Sequence, residues 1–315
     1  MFLPEEKLIQ ATATLLSVDA ATIQAGLRRL EEGEHAVQDH LAGIDIAYLP
    51  ELYEAEQYVA QQLRAMAADR LPEQPNLESL VRQAQQAGSV DYSPQQAEAV
   101  RAAAVSRLLI VTGGPGTGKT TILQGILELF DRMKLTALLA APTGRAAKRL
   151  QEVTGQEACT IHRLLESQPD PATGRLIFTR DEDNPLKAHA VIVDETSMVD
   201  ISLLASLLRA LPPGCRLILV GDPDQLPPVG PGCPLSDMLR SGVVPAVRLT
   251  EIFRQAQESL IVMNAHRVNG GILPDLKTTT SDFFFLRRRA EEAVAVTIGD
   301  LCRTRLPDRM GIPPE

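Results

Sequence analysis

One run of residues has the types and spacing to grip a phosphate chain: Gly113, Gly114, Pro115, Gly116, Thr117, Gly118, Lys119, Thr120 and Thr121. Gly113, Gly118, Lys119 and Thr120 fit the pattern G-x-x-x-x-G-K-[ST]. Glycines let successive backbone N–H groups turn inward with no Cβ in the way, which makes an anion nest. The N-terminus of the helix that follows adds partial positive charge beside the terminal phosphates. Lys119 would supply a point charge and Thr120 a hydroxyl for Mg²⁺.

A second chemical pair, Asp194 and Glu195, follows an apolar run at residues 190–193. A strand that delivers two carboxylates at its C-terminal edge sets them beside a phosphate loop in an α/β sheet. Asp194 would hold Mg²⁺ through its water shell, and Glu195 would polarise the attacking water as general base. Gln225 lies in the Pro-rich stretch 221–232 and can reach a γ-phosphate and sense its loss. Arg254 follows another strand and could pair with the same phosphate. Gln96 can bond N6 and N7 of adenine through its amide, with Gln95 as the rival. Arg145, Lys148 and Arg149 stand three and four apart on a helix and could track a phosphodiester backbone.

The elements that must position these groups are legible as pattern. Apolar runs at 108–111, 136–141, 190–193 and 216–220 read as buried strands, and 122–130 as a helix. Ahead of them the pattern predicts helices at 4–16, 19–33, 51–70 and 77–87 and a hairpin at 36–49, a winged-helix order. A polar insertion at 166–189 predicts a projecting hairpin that could wedge duplex strands apart. Beyond Arg254 a helix is expected at 260–267, a strand at 283–286 and a helix at 291–303.

Composition bounds the rest. Residues 1–91 carry the whole of the −9 net charge, and 92–315 are balanced. A basic nucleic-acid coat is excluded, while a local basic groove is not. Cys159, Cys215, Cys233 and Cys302 lack metal-ligand spacing and read as free thiols. With neither a signal-peptide core nor a membrane-length apolar run, a soluble, cytoplasmic protein is expected.

The motifs stand in a fixed order over residues 92–255, and that order resembles the RecD-like group of superfamily 1B DNA helicases, which includes the exodeoxyribonuclease V alpha subunit. The segments Asp194-Glu-Thr-Ser-Met-Val-Asp200 and Gly221-Asp-Pro-Asp-Gln-Leu-Pro-Pro-Val229 are the most specific. The resemblance implies an α/β fold with a RecA-like P-loop NTPase domain and a mainly parallel sheet. A helical, winged-helix-like module precedes it and a fragment of a second α/β domain follows. The implied divisions are 1–75, 76–255 and 256–315. It implies an ATP- and Mg²⁺-dependent motor moving 5′→3′ on single-stranded DNA in recombination and repair. Pro142, Thr143, Arg145, Thr160, His162, Pro227, Pro228 and Val229 would line the DNA track. Implied partners are single-stranded DNA, duplex-DNA ends, a second RecA-like domain and nuclease or helicase complex subunits, with no membrane. Only about 60 residues follow Arg254, with no Gly-Arg pattern like the family's last motif. The chain is therefore expected to stop before most of the second motor domain. An arginine finger can be worth a factor of about 10³–10⁵ in rate, so weak hydrolysis and no unwinding are expected of this chain alone. The alternatives are an NTPase switch, a nucleotide-gated DNA-binding module, and a fragment of a conjugative relaxase-helicase.

Overall fold

A computed structural model describes residues 2–69, 71–72, 74–88, 91–170, 176–279 and 282–311, apart from the side chains of Arg254, Gln255, Arg309 and Met310. The chain forms two compact units, Met1–Ile252 and Phe253–Glu315.

The first unit opens with β1 (Leu3–Pro4), α1 (Glu5–Leu16), α2 (Ala20–Glu32), β2 (Val37–Leu41) and β3 (Ile44–Tyr48). The three strands form a small antiparallel sheet in the order β1-β3-β2. Asp19 caps α2, its carboxylate accepting the Thr22 N–H at 2.8 Å. Next come α3 (Pro50–Ala68), α4 (Leu77–Ala87) and α5 (Pro94–Val105). The α/β layers then follow: β4 (Leu108–Gly113), α6 (Lys119–Arg132), β5 (Ala137–Ala141), α7 (Gly144–Thr154), β6 (Ala158–Thr160) and α8 (Ile161–Leu164). A small hairpin of β7 (Ser167–Pro169) and β8 (Leu176–Phe178) interrupts them, and its tip at 171–175 lies outside the described residues. The unit closes with β9 (Ala190–Val193), α9 (Ile201–Ala210), β10 (Arg216–Gly221), α10 (Pro234–Ser241) and β11 (Ala246–Leu249).

Six of these strands form one sheet in the order β11-β4-β10-β9-β5-β6, and every pair is parallel. Runs of Leu, Ile and Val suit strands covered on both faces. Leu108, Ile110, Val191, Val193, Leu217 and Leu219 point into one core. Leu109, Val111, Ile192, Ile218 and Val220 point into the other, against α5 and α6. This is the α/β arrangement expected of a RecA-like P-loop domain. Helix α3 belongs to the first core: Ala55, Val59, Leu63 and Met66 recur every three or four residues, are buried, and pack with α9.

Because all six strands run the same way, their C-terminal ends share one edge. β10 lies between β4 and β9, so the phosphate loop and the acidic pair are two inter-strand spacings apart, roughly 10 Å.

The second unit holds α11 (Arg254–Gln257), α12 (Leu260–Asn269) and α13 (Glu291–Asp300), then a π turn at Leu301–Arg305 and α14 (Leu306–Met310). The strand expected at 283–286 is not formed; those residues are irregular. No second strand among the described residues of this unit is there to pair with it, and β propensity without a partner does not make a sheet. No apolar side chain of this unit is buried among the described residues. Its order rests on polar bonds such as Asn264, which donates to the Asp275 carbonyl at 2.9 Å and accepts the Asp275 N–H at 2.7 Å.

Candidate functional site

Strand β4 ends at Gly113 and helix α6 begins at Lys119, so the loop between them crosses the C-terminal edge of the sheet. Close packing, as well as anion binding, requires glycine at 113. A Cβ there would lie 2.5 Å from Thr117 Oγ1 and 2.9 Å from Leu249 Cβ. Gly116 and Gly118 hold φ of 76° and 81°, the left-handed region that glycine enters without strain. Thr117 donates to the Gly114 carbonyl at 2.9 Å and closes the loop. The Lys119 ammonium folds back to donate to the carbonyls of Gly113 and, at 3.0 Å, Gly114. Pro115, Thr120 and Thr121 complete the loop and the first turn, part-exposed.

Asp194 and Glu195 leave β9 at the same edge. Asp194 N–H donates to Ala140 O at 3.0 Å, extending the ladder with β5, and Asp194 Oδ1 accepts the Glu195 N–H at 2.9 Å. Glu195 sits at φ 53°, ψ 40°, a left-handed conformation uncommon for a side-chain-bearing residue. It turns the chain sharply into a 3-10 turn at Thr196–Met198. Strain of this kind clusters at functional sites. Glu195 Oε2, Ser197 Oγ and Thr112 Oγ1, all buried, lack any hydrogen-bond partner among the described residues. Orphaned polar atoms at a strand edge fit a polar ligand or ordered water.

A third carboxylate joins them. Asp222, the first residue after β10, is 2 % exposed, and its Oδ1 accepts the Asp224 N–H at 3.1 Å. Burial pushes the Lys119 pKa down, and the charges of Asp222, Glu195 and Asp194, in that order, oppose the shift. Burial pushes the Asp194 carboxyl up, aided by the neighbouring Glu195 charge and opposed by Lys119. Sequence reasoning missed Asp222, although a signal was available. It stands to β10 as Asp194 stands to β9, an acid directly after a buried strand.

The remaining candidates divide. Gln96 is 1 % exposed and forms a capping box: its Oε1 accepts the Ser93 N–H at 3.0 Å, and Ser93 Oγ accepts the Gln96 N–H at 3.4 Å. Gln95 instead bonds Thr250, donating to its hydroxyl at 2.9 Å and accepting its N–H at 2.9 Å. Gln225 is exposed on the loop after β10. Arg254 heads α11 in the second unit, and its side chain lies outside the described residues. Pro142 and Thr143 directly follow β5 and Thr160 ends β6, which puts them at the shared edge, while Pro227, Pro228 and Val229 lie further along the loop after β10. Thr143 caps α7 through the Ala146 N–H at 3.2 Å, and Thr160 caps α8 through the Arg163 N–H at 3.2 Å. His162 lies 5.8 Å from the Phe178 ring, Arg145 is exposed, and Val229 is fully exposed.

The available donors around Lys119 are a hydroxyl and carboxylates, which suits a hard cation held jointly with substrate phosphates. No group of three or more His, Cys, Asp or Glu that could hold a metal ion occurs among the described residues. No helix among them is long and apolar enough to cross a membrane.

The same stretch of sequence is shared with known proteins. A family model described as an AAA domain matches residues 96–231. The ATP-dependent RecD2 DNA helicase of Deinococcus radiodurans is 43% identical over 179 residues, which is 57% of this chain and 24% of that protein. The RecBCD enzyme subunit RecD of Mycolicibacterium smegmatis is 41% identical over 167 residues, covering 46% of this chain and 30% of the relative. The ATP-dependent DNA helicase dda of Enterobacteria phage T4 is 40% identical over 124 residues, 39% and 28% of the two chains. The chain thus spans between about a quarter and a third of the length of these relatives.

Proposed function

From the kinship of its motor region with RecD-type helicases, we propose that this chain is the first motor half of an ATP-dependent 5′→3′ DNA helicase acting on single-stranded DNA in recombination and repair. The observation that carries the reading is the convergence of Lys119 with Asp194, Glu195 and Asp222 at one edge of a parallel sheet, across a glycine cradle. ATP is the substrate. Lys119 would leave the carbonyls of Gly113 and Gly114 and pair with phosphate oxygens that the backbone N–H groups of Gly114 and of residues 116–120 also hold. The free Oε2 of Glu195 would accept the proton of the attacking water. Mg²⁺, held by the Thr120 hydroxyl and the Asp194 carboxylate, would neutralise charge building on the phosphates. Gln96 would keep Oε1 in its helix cap and present its amide N–H groups to adenine. Gln225 and Arg254 would read the γ-phosphate.

On this reading Pro142, Thr143, Arg145, Thr160, His162, Pro227, Pro228 and Val229 form a nucleic-acid track on the same edge as the nucleotide. Thr143 and Thr160 would act there while capping their helices. The domain division follows the motifs, with residues 1–75 as an accessory module, 76–255 as motor and 256–315 as the beginning of a second motor domain. Partners would be single-stranded DNA, duplex ends, the remainder of a second RecA-like domain, and nuclease or helicase subunits.

Nucleotide binding by the 315-residue chain tests the reading. Lys119→Ala should abolish binding of a fluorescent ATP analogue. Glu195→Gln should retain it while removing what slow hydrolysis the wild-type chain shows. Vigorous DNA-stimulated turnover by the wild-type chain would overturn its assignment as half a motor. Equal turnover by Glu195→Gln would overturn the role of that carboxylate.

A further inference from the structure

Arg145, Lys148 and Arg149 look alike in sequence, a basic helix face fit for a phosphodiester backbone. The structure separates them. Lys148 lies 4.0 Å from Glu152, whereas Arg149 is exposed and has no ion pair among the described residues. We propose that Arg149 is a phosphate-binding residue of the nucleotide site, a cation that the first motor domain supplies to its own triphosphate, and no part of the nucleic-acid track. The proposal rests on the nucleotide reading above.

Helix register places it there. Leu123 and Ile126 of α6 and Leu150 of α7 share one core, so both helices cover the same face of the sheet. Each follows a parallel strand, and both therefore run back from the same edge. Gln124 Nε2 of α6 donates to Val153 O of α7, which fixes a rung between them. One turn nearer the edge, Gln124 gives way to Thr120 and Val153 to Arg149. Arg149 is thereby level with the hydroxyl assigned to the metal. Helical side chains lean toward their own N-terminus, which carries the guanidinium further toward the phosphate loop.

Guanidinium is the side chain best matched to phosphate oxygens, through two parallel N–H bonds.

The test compares Arg149→Ala and Arg149→Lys with wild type in the 315-residue chain, titrated with mant-ATP, mant-ADP and a labelled single-stranded oligonucleotide. Arg149→Ala should weaken ATP about tenfold, the scale of one charge-assisted contact, and ADP less. Arg149→Lys should recover part of the loss, and affinity for the single strand should stay within about twofold. Unchanged ATP affinity with weakened oligonucleotide binding would return Arg149 to the track and overturn the proposal. Lys119→Ala is the reference that separates the two levels. If it weakens ATP and Arg149→Ala does not, the proposal alone fails; if neither does, the nucleotide reading fails with it. Arg149 is exposed, so thermal melting of Arg149→Ala should match wild type, and an unchanged melt assigns the lost affinity to the missing contact.

Discussion

The lysine of the phosphate loop is not waiting in open solvent. Lys119 lies on the carbonyls of Gly113 and Gly114, and three carboxylates oppose the effect of its burial without cancelling it. An arriving phosphate therefore competes with the loop itself, which favours ligands with enough charge to displace both carbonyls. Of this constellation Lys119, Asp194 and Glu195 were legible in the sequence, because glycine spacing and an acid after an apolar run are local signals. Asp222 carries the same local signal but is masked by the Pro-rich stretch that begins there, and Arg149 reads in sequence as one of three like cations, since its level beside Thr120 depends on which helices become neighbours. Away from the site, Tyr58 shows how burial sets a titration. Its hydroxyl donates to Glu182 Oε1 at 3.0 Å, Arg209 lies 4.7 Å from its ring centre, and burial pushes its pKa up from 10.0 to about 12. A raised pKa favours the neutral phenol in the folded state. Its contribution to stability is complete below pH 10 and is lost as pH rises through about 12. In an ultraviolet pH-jump titration, Tyr58→Phe should remove the tyrosinate signal that appears last. Loss of signal near pH 10 instead would mean that the phenol is not buried against Glu182 as described.

Among elements, the sheet strands and their helices were the easiest to read, because a run such as Leu-Leu-Ile-Val ahead of glycines admits few alternatives. The short β6 went unread. It is three residues long, and only pairing with β5 makes it a strand. At 283–286 the reverse holds, because an aromatic run suggested a strand for which no partner is present among the described residues. The Pro-rich loop after β10 has a property that sequence could not disclose. A Cβ at Gly230 would run into the Asp200 carboxylate and lie 2.9 Å from Asp200 Cβ. Asp200 caps α9, accepting the Leu203 N–H at 2.8 Å. Loop and helix cap are thus one packed unit. Gly230→Ala should cost about 1–2 kcal/mol by dislodging that cap. Urea unfolding of Gly230→Ala, Asp200→Ala and the double variant would show it. The glycine substitution should cost less once Asp200 is gone, and an undiminished cost would separate loop from cap.

For the whole molecule, the useful boundary is not where composition changes. The proline break at 71–75 and the shift in charge suggest a division there, yet α3 lies on its N-terminal side and fills the sheet's core. An amphipathic stripe reveals that a helix is covered, not what covers it. Burying Val59, Leu63 and Met66 contributes on the order of 5 kcal/mol or more, against a total stability of about 5–15 kcal/mol for a typical domain. A shortened chain beginning at Pro50 should therefore melt cooperatively, and one beginning at Leu77 should not, as calorimetry would show. Cooperative melting of both would mean that α3 is dispensable to the motor.

Helix α3 packs against α9, which begins roughly 130 residues later. At about 5–20 residues per second, a nascent chain would hold that apolar stripe outside the ribosome for on the order of ten seconds before its mate is synthesised. Until then the stripe is open to chaperones and to other unfinished chains, so the delay in translation sets the period of greatest aggregation risk.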